Sequence, residues 1–144
     1  MTDFYMKIDV FTHIMPPKYK ETLYNMASSR YLKNVMDRLP TLYDLEQRFR
    51  IMDKYEGLKQ VLTLSLPPLE RLINASQALD VAKSTNDELA EMVQKYPDRF
   101  VAAIACLPLN NVENSLKEID RALQDLKLRG IQLFSNINDR PLDS

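Results

Sequence analysis

The sequence predicts an α/β fold in which about four parallel strands alternate with crossover helices, and three observations carry that prediction. Four short apolar runs, 6–11, 58–66, 100–107 and 131–134, are separated by longer segments of helical period. The second and third runs are nearly continuous in apolar residues, as strands covered on both faces read. The two glycines of the chain, Gly57 and Gly130, each stand between a helical segment and the next strand, where a helix is expected to end in a left-handed residue.

Taken in order, the first run leads into the longest connection, residues 14–57. It holds Pro16-Pro17, an amphipathic piece with Tyr19, Leu23 and Met26, the polar stretch Ala27-Ser28-Ser29-Arg30, and a helix after Pro40. Leu45, Phe49 and Met52 form the stripe of that helix, and Thr41 is its candidate cap. An insertion directly after a strand sits on the carboxyl edge of a parallel sheet, where α/β proteins bind ligands, so 14–57 is read as a lid or a subunit contact. The second strand is followed by a helix over 75–96, with Leu79, Ala82, Leu89, Met92, Val93 and Tyr96 mostly at helical spacing and Pro97 as its stop. After the third strand, Asn111 is the candidate cap of a helix over 112–126. Leu116, Ile119, Leu123 and Leu126 recur there as an amphipathic stripe. The fourth run completes a strand–helix repeat whose spacing suits β-α-β units.

Composition bounds the chemistry. The 144 residues make one globular domain or part of a larger one. Nineteen basic against twenty acidic residues give a net charge of −1, which does not suit neutralising nucleic-acid phosphates or lying on an anionic membrane. The longest apolar run, 100–109, is interrupted by Pro108 and falls short of the roughly 20 residues of a spanning helix. The N-terminus shows no secretory signal pattern, and one cysteine agrees with a reducing compartment, so the expected location is cytoplasmic. Two glycines leave none for a phosphate-binding loop. A single histidine, His13, caps what metal or relay chemistry the chain can assemble alone.

The stretch Lys7-Ile8-Asp9-Val10-Phe11-Thr12-His13 is the most informative. Strand alternation places Asp9, Phe11 and His13 on one face, with His13 at the carboxyl end. In a parallel barrel that face is the interior, and its carboxyl rim carries active sites. His13 is therefore a candidate ligand or base, with a packed strand-end histidine as the structural alternative. Ser65, Asn136 and Asn138 fall on the same presumed rim, with cap or turn roles as their alternatives. Cys106, in an apolar run, reads as a buried structural thiol. Arg48, Arg50 and Lys54 read as the solvated face of a helix, and the methionines as core filler.

The first-strand stretch resembles the opening D-x-H-x-H motif of the amidohydrolase superfamily, in the branch of aminocarboxymuconate-semialdehyde decarboxylase and resorcylate-type decarboxylases. The resemblance continues through Asn86-Asp87-Glu88-Leu89-Ala90, Lys95-Tyr96-Pro97-Asp98-Arg99-Phe100, Leu107-Pro108-Leu109, Gly130-Ile131-Gln132-Leu133, Asn136-Ile137-Asn138 and Arg140-Pro141-Leu142-Asp143. It implies a (β/α)8 TIM barrel holding a divalent metal, zinc or manganese, of which this chain is the N-terminal half. It also makes His13 a metal-ligand position, and Ser65 and Asn136 candidate substrate contacts.

Two departures qualify what the resemblance implies. Phe11 stands where the motif has its earlier histidine, and a phenyl ring donates no lone pair. Asp9, about 13 Å from His13 along an extended strand, is too far away to replace it and reads as a buried polar residue in need of a partner. The other ligands and the acid/base residue of the family would lie beyond Ser144, so metal binding by this chain is expected to be weak or absent. The expected function is that of a metal-dependent hydrolase or carboxy-lyase acting on a small carboxylated substrate, incomplete and inactive as this chain alone. The alternative is a non-catalytic half-barrel binding or assembly module. Either reading leaves sheet edges open, so a homo-oligomer or a second half-barrel polypeptide is the expected partner. A doubly wound domain has the same strand–helix order and stays open at this point.

Overall fold

A computed structural model describes residues 5–26, 34, 36–65 and 67–143. Three parallel strands, β1 (Lys7–Ile14), β2 (Leu58–Leu64) and β3 (Phe100–Ala103), lie side by side in the order of the chain. The fourth position is reached by a parallel bridge from Ala105 to Ile131, so the strand order never reverses. A doubly wound sheet reverses its order at a switch point, whereas sequential order is how a barrel wall is laid down.

The strand ends differ from the sequence reading for identifiable reasons. β1 runs beyond the apolar run 6–11 through His13, expected at its carboxyl end, to Ile14, because Thr12, His13 and Ile14 pair with Leu62, Thr63 and Leu64. β3 stops early. The carboxamide of Asn86 takes both main-chain groups of Cys106, accepting from its N–H at 2.9 Å and donating to its carbonyl at 3.0 Å. The predicted fourth strand shrinks to one bridge. The Ala105 N–H donates to Gly130 and the Gln132 N–H to Ala105, after which the chain enters a small hairpin, β4 (Asn136–Ile137) and β5 (Arg140–Pro141). Its turn residues Asn138 and Asp139 have φ of 50° and 64°, as a two-residue hairpin turn with both centres left-handed requires.

The helices are α1 (Pro17–Met26), α2 (Leu45–Met52), α3 (Leu69–Leu72), α4 (Ala75–Lys95) and α5 (Val112–Asp120). A π-turn over Arg121–Asp125 extends α5. The stretch 27–30 of the long connection lies outside the described residues. One cap is as expected, Asn111 accepting from the Asn114 N–H at 2.9 Å. The cap of α2 is Asp44, which accepts from the Gln47 N–H at 3.1 Å, because Thr41 is held in a 3-10 turn over Pro40–Leu42. Gly57 has the expected left-handed φ of 74°, and a side chain there would meet the Tyr5 carbonyl oxygen at 2.7 Å. Gly130 does not have it. The π-turn instead places the left-handed residue at Lys127, with φ of 59°.

One core lies between the sheet and the helices. Ile14, Met52, Leu62, Leu89, Phe100, Ala103, Ala105 and Ala122 are buried together. A second cluster around Met15, Tyr19, Leu23, Leu64, Ala78 and Ala82 seats α1 near the carboxyl ends of the strands. Glu88 of α4 caps α1 by accepting from the Lys18 N–H at 3.0 Å, and the Tyr19 hydroxyl donates to the Pro67 carbonyl at 2.8 Å.

The stripe of α5 is only partly inward. Leu116 and Leu123 are exposed, while Ser115, Glu118 and Ala122 are buried. A polar lattice replaces apolar packing there. Asn86 donates to Glu118 at 2.7 Å, and Arg121 binds both Glu118 oxygens and Asp87.

Candidate metal-ligand position at the end of the first strand

The geometry around His13 follows from an irregularity in β1. Asp9 pairs with Gln60 and Thr12 with Leu62, so Val10 and Phe11 together oppose Val61. One extra residue reverses the side-chain alternation beyond it. Asp9 consequently shares the helix-covered face with Gln60, and His13 shares the opposite face with Thr63. This corrects the expectation that Asp9, Phe11 and His13 are all on one face. It also corrects the burial of Asp9, which is exposed and accepts from the Phe11 N–H at 3.3 Å.

His13 is half-buried, and its ring lies edge-on to Phe11 with centroids 4.7 Å apart. Its Nδ1 is 3.2 Å from the Leu64 carbonyl oxygen and 3.0 Å from Thr63 Oγ1. A carbonyl only accepts, and the Thr63 hydroxyl proton is directed to the Thr12 carbonyl at 3.1 Å. The proton count closes with Nδ1–H shared between Leu64 and Thr63. The neutral ring then carries its lone pair on Nε2, the arrangement of a metal-ligating histidine whose other nitrogen is held by a carbonyl.

Arg48 lies under the opposite side of the same strand. It is 6% exposed rather than part of a solvated face, the third correction at this site. Nη1 donates to the carbonyls of His13 at 2.8 Å and Thr41 at 3.2 Å, and Nε donates to Gln60 Oε1 at 2.7 Å. Burial pulls its pKa down to about 10, partly opposed by the charge of Asp9, so it remains a cation at neutral pH. Its position was readable. Arg48 falls at helical spacing among Leu45, Phe49 and Met52, on the stripe rather than opposite it. Arg50 and Lys54 are exposed, as expected.

The other candidates separate. Ser65 is buried at the end of β2, donates its N–H to the Ile14 carbonyl at 3.0 Å, and lines a small space with Glu70, Cys106, Gln132 and Phe134. That space, about 10 Å³, holds one water at most. Asn136 lies in β4, where its Oδ1 is 3.4 Å from an Arg71 nitrogen, and it is absent from that lining. Cys106 is buried among apolar groups, which pushes its thiol up to about 12, so it is not a thiolate at neutral pH.

A family model for amidohydrolases matches residues 8–144. The chain belongs to the amidohydrolase family. Among curated relatives, it is 29% identical over 124 residues to gamma-resorcylate decarboxylase of a Rhizobium species, covering 86% of this chain and 37% of the relative. It is 28% identical over 157 residues to 2-amino-3-carboxymuconate-6-semialdehyde decarboxylase of Dictyostelium discoideum, covering 96% and 43%. Among solved structures, 5-carboxyvanillate decarboxylase of Novosphingobium aromaticivorans, with bound manganese and a nitrobenzoic acid, superposes with a TM-score of 0.78 at 27% identity. That superposition covers 97% of this chain and 45% of the other. This amidohydrolase chain is thus a partial TIM barrel, spanning less than half the length of these relatives.

The family implies a divalent ion, and the residues here fit it in part. His13 offers Nε2, Phe11 offers nothing, and no three His, Cys, Asp or Glu side chains converge among the described residues. One donor falls short of the three protein ligands typical of a catalytic zinc.

Proposed function

We propose that this chain is the N-terminal part of a divalent-metal-dependent carboxy-lyase acting on a small carboxylated, aromatic-type substrate, with His13 as one ligand through Nε2. The observation that carries the reading is the 3.2 Å contact of His13 Nδ1 with the Leu64 carbonyl, an acceptor only. Leu64 and Thr63 hold Nδ1–H, so the lone pair is free at the carboxyl end of β1 in a family whose solved members include manganese-bound decarboxylases. When bound, the metal supplies a positive charge that stabilises developing negative charge on the substrate. Within these residues, His13 orients a donor; Ser65 and Asn136 are proposed as rim residues only, since the space beside Ser65 holds no more than one water and Asn136 Oδ1 faces Arg71. Phe11 removes the neighbouring ligand, so this chain alone is expected to bind manganese weakly and to release no carbon dioxide.

Among the described residues no strand pairs with the outer edge of β1, which supports a partner. Tyr5, Met6, Val10 and Phe11 are each more than 60% exposed there, and an unpaired strand with apolar side chains recruits further strands. We propose that these come from a second half-barrel segment or a second copy, which the mass in solution reports. The main reading is tested by manganese uptake, followed by electron paramagnetic resonance. Uptake should fall at least tenfold in His13→Ala, and uptake unchanged by that substitution contradicts the ligand role. Release of carbon dioxide from 2,6-dihydroxybenzoate by the chain with manganese would contradict the single-donor account.

A further inference from the structure

The metal-ligand reading gives His13 a role but leaves Asp9 and Arg48 without one. Both lie on the helix-covered side of β1, away from the imidazole. A buried guanidinium is costly to desolvate, and Arg48 forms no direct ion pair among the described residues. An apolar side chain would fill the space at lower cost. What only the guanidinium provides is three oxygen contacts, the shortest two being to Gln60 at 2.7 Å and the His13 carbonyl at 2.8 Å.

Asp9 acts one step earlier. The extra residue in β1 is what turns His13 away from the helices, because without it Asp9 and His13 would share a face. Asp9 Oδ1 accepts from the N–H of Phe11, one of the two residues in the irregular segment. Bulges commonly re-aim a side chain beside a functional site, and here the acceptor that supports the bulge belongs to the same short motif as the residue being aimed.

We propose that Asp9 and Arg48 are positioning residues for the His13 imidazole: Asp9 supports the bulge that turns the ring to the uncovered face, and Arg48 pins the His13 main chain from the helix side. The inference rests on the reading of His13 as a donor through Nε2. Together the two residues keep Nδ1 against Leu64 and Thr63, which fixes the tautomer.

The test uses the fact that His13 is the only histidine of the sequence, so ring nitrogen resonances are assigned without ambiguity. Spectra are recorded on the full chain over a pH series, and the tautomer is read at the basic end, where the ring signals no longer change with pH. The parent should show one fixed tautomer with the proton on Nδ1. Arg48→Met and Asp9→Leu should lose that pattern and move toward an exchange average weighted to Nε2–H. Asp9→Asn, which keeps an Oδ1 acceptor, should restore most of it. A merely structural role lowers the melting temperature and leaves the tautomer in place, so folded Arg48→Met with the parental pattern overturns the proposal. Should Arg48→Met fail to fold, the exposed Asp9 pair decides, and an unchanged Asp9→Leu spectrum is equally fatal. Added manganese separates the two readings. A fixed tautomer whose ring signals ignore manganese contradicts the donor role and leaves the positioning result standing.

Discussion

The two faces of the sheet are built to different rules. On the helix side, Leu62, Phe100 and Ala105 are 0% exposed and Ala103 is 1% exposed, close-packed under α2, α4 and α5. On the side to which His13 and Phe11 turn, Phe11 is 66% exposed and Ile8 44%. The first face supplies the burial that stabilises the fold. The second holds the one imidazole of the chain, with its Nδ1 against Thr63 Oγ1 and the Leu64 carbonyl. Close packing and the proposed donor thus fall on opposite sides of the same strands, the arrangement expected of a barrel wall. The bulge in β1 decides which residue belongs to which side.

If this division holds, substitutions on the helix side should cost much more than those on the other. The largest effect is expected for Phe100→Ala, which empties a fully buried ring site at a cost of about 3–5 kcal/mol in urea unfolding. Glu118→Ala should follow. It removes one of the two acceptors of the Asn86 amide nitrogen and both carboxylate oxygens that Arg121 binds, and about 2 kcal/mol is expected because Arg121 keeps Asp87 and some access to water. Gly57→Ala tests the turn before β2. A left-handed φ with the Tyr5 carbonyl in the way should cost about 1–2 kcal/mol. Phe11→Ala, on the uncovered face, should change stability by less than about 0.5 kcal/mol. A loss as large as that of Phe100→Ala would show that this face is packed after all.

The pH dependence of unfolding probes the small space that Glu70 lines with Ser65. Burial holds the Glu70 carboxyl above its ordinary value of 4.5, so the folded state binds that proton more tightly than the unfolded state. The resulting stability is fully present below about 4.5 and is lost as pH rises through the folded value. Glu70→Gln, which stays neutral, should therefore raise the urea midpoint at pH 7 relative to the parent. The two midpoints should converge in acid. A midpoint unchanged at pH 7 would place Glu70 in water.

Much of this was legible in the sequence because periodicity reports burial. The runs 58–66 and 100–107 located β2 and β3, and Leu79 through Tyr96 located α4 almost to its ends. What periodicity does not report is parity. A single extra residue opposite Val61 reversed the faces of Asp9 and His13, and nothing in Lys7-Ile8-Asp9-Val10-Phe11 announces it. Side chains that bond to backbone were also hidden. Asn86 ends β3 by taking both main-chain groups of Cys106, and Glu118 turns the inward side of α5 polar although Leu116 and Leu123 suggest an apolar stripe. Arg48 was missed for a different reason. Charge was read as exposure, although its spacing with Leu45, Phe49 and Met52 already placed it inward.

If the uncovered face is the functional one, His13 Nε2 is its donor. Manganese-induced broadening of amide and ring signals, mapped residue by residue on the full chain, tests this most directly. Broadening should be strongest at the His13 ring and spread to Phe11 and Thr63, sparing Leu62, Phe100 and Ala103 behind the sheet. Broadening centred on exposed carboxylates such as Glu46 or Glu113, with the His13 ring unaffected, would contradict it.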